Sequence, residues 1–185
     1  MNLTGTPTLF TKRCTLRRMV PDDYRMMYEN WAKYEEVCRF FPFHPIADIE
    51  IYREKVNKWC SSYASPSYLH WVIVWNQSGE VIGTINLGNV DEASEMADTA
   101  YMLSPRYWGL GIMTEALQAV LSYAFGEAGF NRVQAEVFDG NAASARVLAK
   151  CSMQLEGVAR QRYRKDGQWI DVAQYAVLKR DYCSL

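Results

Sequence analysis

The stretch Ser104-Pro-Arg-Tyr-Trp-Gly-Leu-Gly-Ile-Met-Thr-Glu-Ala-Leu117 constrains the fold more than any other part of the chain. Before it, Ala97, Thr99, Tyr101 and Leu103 alternate with Asp98, Ala100 and Met102, which predicts a strand over Ala97 to Leu103. Within and after it, Met113, Leu117, Val120 and Ala124 recur at helical spacing and predict a helix from Ile112 to about Phe125. A strand that passes through glycines into a helix leaves unpaired N–H groups at the positive end of the helix dipole. Such a turn binds phosphate. Gly109 and Gly111 have no Cβ to hold an anion off the backbone, and Arg106 adds a fixed positive charge.

Two common phosphate motifs do not fit. A dinucleotide fingerprint requires a third glycine where Thr114 stands, and a nucleoside-triphosphate loop requires a Gly-Lys-Ser/Thr triplet that does not follow the glycines. What remains, Arg106 to Gly111, reads Arg-x-x-Gly-x-Gly. It resembles the acyl-coenzyme A pyrophosphate loop of the GNAT superfamily of N-acetyltransferases. The similarity continues in order through Phe125, Gly129, Phe130, Asn131 and Arg132, then Asn141, Ser144, Leu148 and Lys150, then Glu156-Gly157. This series resembles the RimJ/RimL-like branch, which acetylates α-amino groups of ribosomal proteins and, in many relatives, other amines. It runs from about Thr15 to Tyr175 and is densest from Tyr101 to Gly157.

Composition removes other classes. With 185 residues, 49% of them apolar, the chain suits one globular domain over 1–185. A net charge of −1 gives no reason to expect nucleic-acid or anionic-membrane binding. Cys14, Cys38, Cys60, Cys151 and Cys183 are odd in number and scattered, as expected of free thiols in a reducing compartment. Met1 to Phe10 shows no signal-peptide pattern, and no apolar run is long enough for a membrane span, so a cytoplasmic location is expected. His44 and His70 are the only histidines and no acidic-cysteine cluster joins them, so no metal site is expected; His70 reads as a strand residue with its hydrogen bond satisfied.

The remaining elements follow from pattern. A strand is predicted over Thr11 to Met19, and a helix starting at Pro21 with Tyr24, Met27, Tyr28 and Trp31 as its apolar stripe. Prolines keep Arg39 to Pro45 out of a helix, and a second helix, about Ala47 to Tyr63, presents Ile49, Tyr52, Val56 and Trp59 on one face. Tyr68 to Trp75 and Glu80 to Leu87 form a hairpin around Asn76 to Gly79, with Gly83 marking a bulge or close packing; Asn89 to Ala93 reads as a polar loop. A strand over Asn131 to Phe138, a short helix over Asn141 to Lys150, and strands over about Gln154 to Arg164 and Gln168 to Lys179 complete the chain, the last two joined at Asp166-Gly167. The fold class is α/β (α+β): a mixed, mostly antiparallel sheet of about seven strands with four helices.

The resemblance implies acetyl-CoA as co-substrate, with no metal, and transfer to a primary amine by direct attack in a ternary complex. It implies coenzyme contacts from Met102, Leu103, Arg106, Trp108, Gly109, Leu110, Gly111, Ile112, Asn141 and Ser144. Asn141 would hold the pantetheine arm and Ser144 would lie near the thioester sulfur, although by propensity alone Asn141 is a helix N-cap and Ser144 a first-turn residue. The attacking ammonium must lose a proton, for which Asp98 and Glu136 are the acidic candidates, and the departing thiolate needs a donor, for which Ser144 and Tyr163 are candidates. The aromatic loop with Phe40, Phe41, Phe43 and His44 either caps a core or lines the acceptor pocket. The oxyanion would meet a backbone donor of the strand ending at Leu103, beside a bulge that splays it from the Asn131–Phe138 strand.

The chain departs from the branch where Gly-Phe is usual before Glu-Gly, having Ser152-Met153, and where Asp98 replaces a frequent Glu. Ser152 must then cap a helix without glycine's freedom. These departures leave room for a second reading, an acyl-CoA-binding sensor or structural domain without catalysis. The acceptor's identity and the oligomeric state are not written in any motif, although relatives are often dimers.

Overall fold

The computed structural model describes residues 1–182. In chain order the strands are β1 (Leu9–Phe10), β2 (Cys14–Arg17), β3 (Leu69–Trp75), β4 (Glu80–Asp91), β5 (Met96–Leu103), β6 (Arg132–Phe138), β7 (Gln154–Lys165) and β8 (Gln168–Leu178). The helices are α1 (Tyr24–Met27), which continues as a π-helix over Tyr28–Ala32, then α2 (Glu35–Cys38), α3 (Ile49–Ser62), α4 (Ile112–Tyr123), α5 (Ala142–Lys150) and α6 (Lys179–Tyr182). Eight strands form one sheet in the order β1-β2-β3-β4-β5-β6-β8-β7, antiparallel throughout except for the β5–β6 pair. The four main helices are α1 with its π-turn, α3, α4 and α5.

Two expectations about strands change. Of the stretch Thr11 to Met19 only Cys14–Arg17 is strand: Thr11 Oγ1 accepts from Cys14 N–H at 2.9 Å, and the Thr11 N–H donates to the Cys14 carbonyl, also at 2.9 Å. That turn separates β1 from β2 and accounts for the eighth strand. The polar loop at Asn89 to Ala93 is largely strand, since β4 runs on to Asp91. A bulge between Gly88 and Asp91, with Asn89 at φ 48°, absorbs the polar residues without ending the pairing.

The two faces of the sheet feed two cores. Leu69, Trp71 and Ile73 of β3 face α4, while Val72 faces α1 and α3. Met113, Leu117 and Val120 of α4, with Ala124 directly after it, are buried in the first core; Tyr24, Met27, Trp31, Tyr52 and Val56 are buried in the second. The β3–β4 register shifts between Ile73 and Val74, so Ile82 is an extra residue. It reverses the alternation, and Ile82 and Ile85, three apart, join the same core. Gly83 beside it is closely packed: a Cβ there would lie 2.5 Å from the Met102 carbonyl oxygen.

The α5 helix ends as its sequence departure requires. Ser152 sits at φ 61°, and its N–H and that of Met153 donate to the carbonyls of Ala149 and Leu148. This is a Schellman cap with serine in the position that favours glycine, and Met153 fills the core beneath it at 3% exposure. Cys14, Cys38, Cys60 and Cys151 are free thiols, and Cys183 lies outside the described residues. Among the described residues no helix is long and apolar enough to cross a membrane.

Candidate active site

The glycine turn is built as its sequence predicts. Gly109 and Gly111 take φ of 75° and 76°, and Gly111 is the N-cap of α4. Apart from its chain neighbours, no described residue comes within 4 Å of a Cβ placed on Gly109, so the approach to the turn is open. Arg13, on the segment entering β2, is the cation beside this turn. Its N–H and Nε each donate to a Glu115 carboxylate oxygen at 2.8 Å, and its Nη1 donates to the Leu110 carbonyl at 2.9 Å. Its Nη2 lies 3.8 Å from the Cβ position of Gly111. Burial pulls the Glu115 carboxyl upward, but hydrogen bonds from Thr11 and Arg13 outweigh it and hold the group below its usual range. Arg106 is engaged by Asn30, at 2.8 Å from its Nη2, and by an ion pair with Glu80. The Trp108 indole donates to the Leu103 carbonyl at the end of β5, while Leu110 stands exposed and Ile112 is buried.

Beyond the turn, the sheet opens. Strand β5 pairs with β6 only from Met96 to Asp98, against Arg132 to Gln134, and both strands then run on unpaired with each other. No register shift occurs between β5 and β6; the bulge beside β5 lies in β4. The expected splay is therefore present without a bulge of its own. Thr99, just past the last pair, has a buried hydroxyl with no partner among the described residues. Across the opening, Tyr101 Oη and Ser144 Oγ share a hydrogen bond of 2.8 Å, and Asn141 Oδ1 caps α5 by accepting from the Ser144 N–H at 3.2 Å. Burial pushes the Tyr101 phenol well above its ordinary range, against the Ser144 hydrogen bond that lowers it.

On the face carrying α1 and α3 lies a cavity of about 250 Å³. Phe41 and Phe43 stack on each other at 5.1 Å and form part of its wall, with Trp31, Trp59, Tyr101 and Met102. The aromatic loop is held from a distance. Lys165, at the tip of the β7–β8 hairpin, donates to the carbonyls of Cys38, Arg39 and Phe43 at 2.8, 3.3 and 3.3 Å. Asp166 lies 3.2 Å from His44 Nε2. His70 is buried in the wall with both ring nitrogens engaged, by Thr84 Oγ1 at 2.6 Å and Tyr68 Oη at 3.0 Å, and burial pushes its pKa down to about 4.

Asp98, Glu136 and Tyr163 form a separate group. Asp98 accepts from Gln134 Nε2 and Asn89 Nδ2, both at 2.7 Å. Tyr163 donates to Glu136 at 2.7 Å and stacks on Phe138. That hydrogen bond to Glu136, with burial added, raises the Tyr163 phenol. Asp98 and Glu136 line a second cavity of about 160 Å³ together with Arg132 and Arg162. The structure thus brings Ser144 together with Tyr101 and not with Tyr163's hydrogen-bond partner.

A family model described as an acetyltransferase (GNAT) domain matches residues 13–154, well over half of the chain. The chain belongs to the GNAT acetyltransferase family. Among its GNAT relatives is the uncharacterized N-acetyltransferase p20 of Bacillus licheniformis, 30% identical over 175 residues, which span 95% of this chain and 98% of that protein. The [ribosomal protein uS5]-alanine N-acetyltransferase of Escherichia coli is 33% identical over 93 residues, 50% of this chain and 48% of that one. Among solved structures, RimJ of Mycobacterium smegmatis in complex with CoA-disulfide superimposes with a TM-score of 0.84, over 96% of this chain and 90% of that one, at 23% identity. At that identity the likeness carries the fold.

Residues that sequence reasoning passed over are Arg13, Lys55, Lys165 and the hydroxyl of Tyr101. The period-two pattern placed Tyr101 on a strand, but nothing in it tied the phenol to Ser144. Arg13 reaches a residue 102 positions away, which no local pattern signals.

Proposed function

We propose that the chain transfers an acetyl group from acetyl-CoA to a primary amine, by direct attack in a ternary complex. One observation carries the reading: the Tyr101–Ser144 hydroxyl pair stands where the β5–β6 opening meets the aromatic cavity, with the glycine turn of α4 at the end of β5. Bound acetyl-CoA would supply the acetyl group as a thioester. The residues present fit it. The open turn at Gly109 and Gly111 with the α4 N-terminus suits a pyrophosphate, and the orphaned Thr99 hydroxyl suits a polar arm lying in the opening.

The chain's own groups divide the work. Backbone N–H groups of Gly109 to Ile112 hold the phosphates, and Arg13 keeps the turn in shape through Leu110 while lending positive charge. Asn141 orients the first turn of α5, which aims Ser144 at the opening. Ser144, backed by the Tyr101 phenol, donates to the departing sulfur. The cavity wall excludes water from the reacting amine. Asp98 shares a face of β5 with Ala100 of the cavity wall and is the carboxylate assigned to take up the amine's proton through solvent.

The test is thermal unfolding with and without acetyl-CoA, followed by thiol release on adding amines. At about 100 times the dissociation constant, binding adds roughly 2.7 kcal/mol. For a chain of this length that is a rise of roughly 5–10 °C in melting temperature. A ligand-free, folded sample that shows no shift removes the reading. A shift without thiol release for any amine leaves a coenzyme-binding protein that is not an acetyltransferase.

A further inference from the structure

The cavity wall has a feature that the reaction does not use. Lys55 of α3 lines it, and no Asp or Glu does. The Lys55 ammonium lies 5.0 Å from the Trp59 ring centroid and 5.5 Å from that of Phe43. Among the described residues it makes neither a hydrogen bond nor an ion pair. Asp166 and Glu35 approach His44, at 3.2 and 4.0 Å, and neither is paired with Lys55. Two other basic side chains line the wall: His70, which is neutral at physiological pH with both nitrogens occupied, and His44, at the exposed edge, whose Nε2 lies 3.2 Å from Asp166. Lys55 is therefore the fixed positive charge of the cavity.

A half-buried cation facing an apolar cavity without a counter-ion is costly unless an anion completes it. Burial already lowers the Lys55 pKa, in keeping with an ammonium short of both water and a partner. Ring faces attract a cation, but they give far less than a carboxylate in the same place. The cavity's volume, about 250 Å³, falls below the range of roughly 300–1,000 Å³ of pockets that bury drug-sized ligands. That admits a molecule of amino-acid size and not a folded protein surface.

We propose that the acceptor is a small apolar primary amine that also carries a carboxylate, and that Lys55 binds that carboxylate. The inference rests on the acetyl-transfer reading for the amine, but not for the anion. The aromatic walls take the apolar body, and the amine is left to face the Tyr101–Ser144 end. A polyamine is disfavoured, because its further ammonium groups would meet Lys55 and find no carboxylate in the wall. An N-terminal peptide is disfavoured as well, since its first residue presents an amide where the carboxylate should be.

The experiment is calorimetric titration of the full chain saturated with CoA. The probes are two matched pairs, L-leucine with L-leucinamide and 6-aminohexanoate with hexylamine, and spermidine. The pairs set the amine and carboxylate at short and long separation. In at least one pair the carboxylate member should bind about 10- to 100-fold more tightly, the range expected for a hydrogen bond to a charged group. Lys55→Met should remove that preference and change the carboxylate-free member less than about threefold, while Lys55→Arg, which keeps the charge, should retain it. Equal binding within both pairs, tighter binding of spermidine, or a preference that survives Lys55→Met overturns the proposal. The wild-type comparison stands even if a variant fails to fold. Carboxylate-selective binding without acetyl transfer would overturn the proposed function alone. Transfer to leucinamide, hexylamine or spermidine without carboxylate selectivity would overturn this inference alone.

Discussion

The two ends of the site are built on different principles. The glycine turn is a backbone device. The groups it offers are main-chain N–H groups at the start of α4, it spans a few consecutive residues, and one remote side chain, Arg13, braces it. The aromatic cavity is a side-chain device. Its wall draws on α1, the loop after α2, α3 and the middle strands, and its loop is tied to the β7–β8 hairpin through Lys165. The first arrangement leaves little that can vary without loss of the turn. The second exposes single side chains that can vary without disturbing the backbone, and in this chain Lys55 is the ammonium in the wall.

The largest expected effect breaks the glycine end. Gly111→Val places a branched side chain at φ 76°, where strain costs about 1–3 kcal/mol, and sets its methyl groups against the path of the phosphates. Affinity for CoA should fall by more than about 100-fold, since several charge-assisted hydrogen bonds are lost together, while the variant remains folded. Calorimetric titration reads this directly. Wild-type affinity would show that the phosphates sit elsewhere.

The next effect tests the junction. Ser144→Ala should lower kcat by about 10- to 100-fold and leave CoA affinity nearly unchanged, as expected for loss of a donor used only as the sulfur departs. Steady-state kinetics with an identified amine decides it. Normal turnover in Ser144→Ala with a crippled Tyr163→Phe would move the donor role to the Tyr163–Glu136 pair.

The smallest effect sharpens the contrast at the acceptor end. Lys165→Met removes three hydrogen bonds to the aromatic loop, one of them at 2.8 Å. The acceptor's KM should rise by about 3- to 10-fold, with the CoA dissociation constant unchanged. Equal damage to both ligands would mean that the two ends are not separable.

The same contrast explains what could be read from the sequence. The strand, the glycines and the helix lie consecutively from Ala97 to Phe125, so period and backbone chemistry suffice to place them. Ser152 at φ 61° is legible through the resemblance instead, because relatives usually carry a glycine where this helix ends. The turn at Thr11 to Cys14 is missed because a single hydroxyl breaks a pattern that otherwise alternates. The continuation of β4 is missed because a bulge carries Asn89 through a polar stretch that composition assigns to a loop. Within the site, Asn141 and Ser144 share one helical turn, but the partner of Ser144 is a phenol 43 residues away. Lys55 reads as an ordinary exposed helix position until α3 is laid over the cavity. Register, and not residue type, decides which side chains meet.

The Lys165 clasp also bears on the order in which the protein assembles. It joins carbonyls of residues 38 to 43 to a side chain more than 120 positions later. During synthesis the N-terminal part emerges first, and contacts so distant in sequence close late. The Arg13–Glu115 brace can form once about two-thirds of the chain has been made. The aromatic loop must wait for the hairpin that ends at Lys165. A nascent chain can therefore shape its glycine turn before the wall of its aromatic cavity is complete, so that under the proposed function the choice of acceptor would be the last property the fold confers.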